Sequence, residues 1–130
     1  PDILTGEFTL PEFMVLTSKY GNKNVTSFLM DQKIISGCGN YIKSEVLYYA
    51  LISPHRKVSS LSESERELLF EALRVIPRMS YNFSCLNLRD YNEHNGGDNN
   101  SLLKIYGTKN SKRTATPDGR ITYWDPSVQK

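Results

Sequence analysis

The stretch Asp31-Gln32-Lys33-Ile34-Ile35-Ser36-Gly37-Cys38-Gly39-Asn40 holds residue types that can grip an anion. Two glycines two positions apart break any helix and admit positive φ. Asn40 has a side chain suited to starting the next one. A helix beginning there turns the backbone N–H groups of Gly39 and Asn40 outward, and its dipole favours negative charge at that end. Gly39 allows close approach of a phosphate, the Asn40 amide adds a donor, and Lys33 across the turn adds charge. The same residues also make an ordinary connection between two helices, with a glycine closing one and an asparagine opening the next, and both readings stand on spacing alone. Glu45, on the helix that follows, can pair with Lys33 and hold the shape of the turn. A second cation, Arg120, comes directly after Pro117-Asp118-Gly119, a strong turn signal. A guanidinium at a hairpin tip can hold a phosphate with two donors or enter a groove; it can also simply be solvated.

Other reactive side chains offer less. His55 and His94 are the only histidines, neither with a cysteine or carboxylate at ligand spacing, so no metal site is expected. Cys38 and Cys85 are too few for a disulfide scaffold or a four-cysteine zinc site, and a reduced compartment follows. A helix start can lower a thiol pKa, but Cys38 reads better as a small core residue.

These residues need elements to position them. Thr9 and Glu12 have capping-box spacing, and Phe13, Leu16 and Tyr20 recur at helical intervals, predicting a helix from Thr9 to about Tyr20. Asn24 predicts the cap of a short helix to about Gln32, with Phe28 and Leu29 inward. Asn40 predicts the cap of a third helix from Tyr41 to about Leu51, with Ile42, Val46, Tyr49 and Ala50 inward. Ser62 and Glu65 form another capping box, opening a helix whose stripe is Leu69, Ala72, Leu73 and Ile76; Pro77 should kink or end it. Residues 87–100 read as a mobile polar loop, Leu102 to Tyr106 as a strand, and Ile121-Thr122-Tyr123-Trp124 as half of a β-hairpin.

Composition sets limits. The chain has 130 residues and a net charge of +2. Residues 1–100 carry 10 basic and 12 acidic side chains, and residues 101–130 carry 6 and 2. A basic segment on a near-neutral body suits a polyanion, because each cation placed on a phosphate releases counterions. No apolar run reaches the ~18 residues of a membrane span. No leader is seen, and an intracellular location is expected: the nucleus if eukaryotic, otherwise the cytoplasm.

The run Asp31-Gln32-Lys33, Gly37-Cys38-Gly39-Asn40-Tyr41, Ser44-Glu45 and Ser53-Pro54-His55-Arg56 resembles the helix-two-turn-helix domain of the Fpg/Nei family of DNA glycosylases. Pro1-Asp2-Ile3-Leu4 looks like the linker entering that domain, and Leu103-Lys104-Ile105-Tyr106-Gly107 like the strand leading to its finger. Residues 113–124 resemble the zincless variant of that finger, with Arg120 at its phosphate-reaching position. The resemblance implies a mainly α fold, four helices around a helix-two-turn-helix, followed by a small two-strand antiparallel zincless finger. It divides the chain into a linker (1–8), a DNA-binding domain (9–100) and the finger (101–130). Phosphate binding falls to Lys33, Gly39, Asn40 and Arg120, with Glu45 supporting the turn and no metal or cofactor.

The resemblance further implies a parent enzyme that removes oxidised bases, pyrimidines and hydantoins foremost, and nicks the abasic site through a Schiff base. The partners are then double-stranded DNA carrying oxidised bases or abasic sites and the protein's own N-terminal catalytic domain, in a monomer. The family's nucleophile is an N-terminal proline followed by glutamate. Here Asp2 follows Pro1, so Pro1 reads as linker and this half carries no catalytic residue. A stand-alone nucleic-acid-binding module, or a protein-interaction domain whose basic finger meets an acidic partner, are the readings from other classes.

Overall fold

The computed structural model describes residues 3, 8–82, 105 and 111–130. Four α-helices come first: α1 (Leu10–Lys19), α2 (Val25–Met30), α3 (Asn40–Tyr49) and α4 (Glu63–Asn82), with a 3-10 turn at Val58–Ser60 before α4. Strands β1 (Lys112–Ala115) and β2 (Ile121–Trp124) then form a two-stranded antiparallel sheet. This is the mainly α body with a small hairpin that the sequence predicts. The expected loop at 87–100, most of the 1–8 linker, His94 and Cys85 lie outside the described residues. Of the expected strand at 102–106 only Ile105 is described, as a buried residue in a bend.

Local signals explain the helix starts. Thr9 accepts the Glu12 N–H at 3.4 Å, Asn24 accepts the Thr26 N–H at 2.7 Å, and Ser62 and Glu65 exchange bonds at 3.1 and 2.8 Å. Each satisfies a donor that the helix leaves open. Asn24 also donates to the Pro54 carbonyl at 2.9 Å, and Val25 N–H donates to Arg56 carbonyl at 2.9 Å, so the start of α2 is pinned to the loop after α3.

The core gathers Phe13 from α1, Phe28 from α2 and Leu69, Ala72 and Leu73 from α4. Phe8, Phe13, Phe28 and Phe70 meet edge-on or tilted at 5.3 to 6.0 Å, the arrangement that aromatic quadrupoles favour. One expectation is narrowed and one is corrected. Pro77 does not end α4, which runs on to Asn82; proline forfeits one helical hydrogen bond, but the stripe from Leu69 to Ile76 is packed in the core. Tyr49 is 40% exposed, its hydroxyl donating to Glu71 at 2.8 Å, and Leu47 takes an inward place instead.

Candidate nucleic-acid interface

Residues 31–39 form the two turns between α2 and α3. The Asp31 carbonyl accepts the N–H groups of Ile34 and Ile35 at 2.9 and 3.0 Å, and its carboxylate accepts the Lys33 N–H at 2.9 Å. Ile34, Ile35 and Cys38 are buried, which leaves Lys33, Gly37 and Gly39 on the surface. Gln32 braces the second turn, accepting the Gly37 N–H at 3.2 Å and donating to the Cys38 carbonyl at 3.4 Å. Gly37 has φ 97°, where a side chain would be strained. Gly39 has an ordinary φ of −87°, and a Cβ there would meet nothing within 4 Å. Its place in the turn is therefore open space. Burial pushes the Cys38 thiol up to about 12, so it is a core group rather than a nucleophile.

The start of α3 differs from the expectation. Gly39, not Asn40, is the cap residue, and it makes no side-chain cap bond. The extended backbone that a cap requires falls on Gly39 (ψ 179°), so Asn40 is already helical. Asn40 Oδ1 is buried and has no hydrogen-bond partner among the described residues. No acidic residue stands in the first turn. Whereas α1, α2 and α4 start on side-chain caps, α3 starts on a glycine that supplies none, at the positive end of its dipole.

The hairpin reaches this same end. Residues 116–120 turn with Gly119 at φ 85°, its N–H donating to the Thr116 carbonyl at 2.9 Å, while Thr116 N–H donates to the Arg120 carbonyl at 3.1 Å. Asp118 within this turn receives the Lys43 ammonium at 2.7 Å, and the two side chains are 1% and 0% exposed. Burial raises the Asp118 carboxyl, but hydrogen bonds from Lys43 and Thr116 outweigh it and hold the group below its ordinary value. Burial pulls the Lys43 ammonium down, and Asp118 opposes that. Lys43 is three residues, one helical turn, beyond Asn40; Asp118 is two residues before Arg120, which is exposed.

The Lys43–Asp118 contact thus ties the Arg120 turn to α3 one turn beyond Gly39 and Asn40, near enough for Arg120 to act on the Lys43 charge. Lys33 lies across the two turns, exposed and without an ion pair among the described residues. The expected Lys33–Glu45 pair does not form. Glu45 is 1% exposed and instead accepts the Ile105 N–H at 2.9 Å. Ser44 accepts the Tyr123 N–H at 3.1 Å. Sequence reasoning missed Lys43 and Asp118. The signal was present: Lys43 precedes Val46 by three and Ala50 by seven, so it falls within the buried stripe of α3, where a charge needs a partner.

Known proteins resemble this chain in sequence and fold. The model of the formamidopyrimidine-DNA glycosylase H2TH domain matches residues 1–82. Formamidopyrimidine-DNA glycosylase of Carboxydothermus hydrogenoformans is 38% identical over 140 residues, which cover 100% of this chain and 53% of that protein. Endonuclease 8 of an Enterobacter species is 37% identical over 98 residues, 74% of this chain and 36% of that protein. Among solved structures, the MutM (Fpg) protein of Thermus thermophilus aligns with a TM-score of 0.79 at 26% identity, over 99% of this chain and 53% of its own. A viral DNA glycosylase shares the fold with a TM-score of 0.76 at 24% identity, over 99% of this chain and 49% of its own. The chain spans about half the length of the relatives that match it end to end. With its two turns, its uncapped third helix and a family match across residues 1–82, the chain belongs to the formamidopyrimidine-DNA glycosylase H2TH domain family.

Proposed function

We propose that this chain is the DNA-gripping half of a base-excision-repair DNA glycosylase. The observation that carries the reading is the uncapped, acid-free start of α3, with the Arg120 turn tied to the helix one turn further on. In this reading Lys33, Gly39 and Asn40 take phosphates on one side of a damaged nucleotide, and Arg120 takes one from the hairpin. Together they hold a kinked duplex, lesion-bearing or abasic, while the nucleotide is flipped into a catalytic domain elsewhere in the protein. Relatives twice as long leave room for that domain.

The parent enzyme, a monomer, removes oxidised bases, with pyrimidines and hydantoins favoured, and cleaves the resulting abasic site. Its N-terminal proline amine adds to the sugar carbon, releasing the base and forming a Schiff base, while a glutamate moves the proton. Borohydride trapping on a duplex with one abasic site tests this. The full-length protein should be trapped as a covalent adduct, the 130-residue chain should not, and Asn40→Ala should slow trapping. Adduct formation by neither chain would refute the lyase reading, and a linkage at Pro1 would refute the division of labour.

A further inference from the structure

We propose that the buried Lys43–Asp118 ion pair is the positioning device that sets Arg120 against the first turn of α3, so that both arms close on one stretch of DNA backbone. This rests on the DNA reading above. Three consecutive polar residues of α3 bind the C-terminal segment, and they divide the work. Glu45 holds Ile105, Ser44 holds the middle of β2, and Lys43 alone reaches the turn. Asp118 is fixed from within as well: its other oxygen accepts the Thr116 hydroxyl, which lies 3.0 Å from the Arg120 carbonyl and 2.8 Å from the Thr122 hydroxyl. Arg120 therefore follows the position of the Asp118 carboxylate. A fully buried ion pair gains little stability over apolar side chains of equal volume. What it supplies here is direction, since an ammonium–carboxylate contact fixes the turn at one place where an apolar contact can slide. Small displacements of a gripping group are expensive in function.

The test uses the full-length protein and a duplex carrying one tetrahydrofuran abasic-site analogue, with affinity read by fluorescence anisotropy across a potassium chloride series. Arg120→Ala should weaken binding about 10-fold and reduce the salt slope by about 0.9. The apolar exchange Lys43→Met with Asp118→Leu should melt near the unaltered protein yet lose the same affinity and slope. Adding Arg120→Ala to it should cost less than about 2-fold more. A merely structural pair would leave the slope and the Arg120 effect intact in any variant that folds. Where the apolar exchange does not fold, Lys43→Gln with Asp118→Asn serves the same comparison. Full Arg120 sensitivity without the ion pair would overturn the positioning role and leave the DNA reading standing. Absence of salt-dependent binding by the unaltered protein would overturn the DNA reading itself.

Discussion

Lys43→Met should be among the most damaging single changes in the described residues. It removes the ammonium from a carboxylate that is 1% exposed. Asp118 keeps its bonds from Thr116 and the Arg120 backbone but loses its counter-charge. Breaking one partner from a buried pair costs about 3–5 kcal/mol, which in a domain of this size lowers the melting temperature by roughly 12–20 °C. The pH dependence identifies the cause. In the unaltered protein the Asp118 carboxyl lies below its unfolded value of about 3.9, so its contribution is present above that value and is lost as pH falls through the folded one. In Lys43→Met, burial raises the carboxyl above the unfolded value, and the folded state takes up the proton first. Its stability then rises relative to the unaltered protein as pH falls. Urea denaturation followed by circular dichroism should show the deficit at pH 7 shrinking toward pH 4. Asp118→Asn should show the mirror image, because burial already pulls the Lys43 ammonium down; its deficit should shrink from pH 7 to pH 10. A loss under about 1 kcal/mol at pH 7, or a deficit that is flat or widens toward acid for Lys43→Met, would refute the reasoning.

Gly39→Ala should leave stability within about 1 kcal/mol in a thermal melt, since φ is ordinary and the methyl meets nothing, while weakening binding of abasic duplex by filling the approach to α3. Leu51→Gly should stabilise the fold by about 0.5–1 kcal/mol in urea denaturation, because Leu51 closes α3 at φ 58° and is 52% exposed. Cys38, with its thiol pushed up to about 12 and buried, should resist iodoacetamide at pH 8 until denaturant is added, and labelling of the native protein at a free-thiol rate would place it at the surface.

The helices and the hairpin were legible because their signals are local. Thr9, Asn24, Ser62 and Glu65 bond within three residues of themselves, and Pro117-Asp118-Gly119 makes a turn whatever it packs against. The inner side of α3 was not legible by the same logic. Periodicity assigns Ser44 and Glu45 to the polar face, and that face would be wet if the helix were covered on one side only. It is dry because Ile105 and Tyr123, far along the chain, bond to Glu45 and Ser44. The Lys33–Glu45 pair failed for this reason: the spacing permits it, but a carboxylate buried under a distant backbone N–H has no reach to the turn. Asn40 was misplaced by one residue as a cap, which matters chemically, because the cap position falls on a glycine with no side chain to offer.

How the small finger is held follows from the same contacts. Two four-residue strands are marginal alone, and two cysteines cannot supply four thiolates to a zinc ion. The hairpin is instead fastened from its inner face. Thr116 and Thr122 join hydroxyls at 2.8 Å, Trp124 donates to Thr114 at 2.9 Å and packs edge-on to His55 at 5.1 Å, and Gln129 donates to the Ile52 carbonyl at 2.9 Å. A metal-centred finger carries its own core and needs its neighbour only for placement. Here the residues that keep the hairpin folded are largely those that dock it on α3 and the loop that follows. Folding of the tip and alignment of Arg120 with the start of α3 are therefore one event, and a substitution on the inner side of α3 that touches no ligand should still loosen the grip.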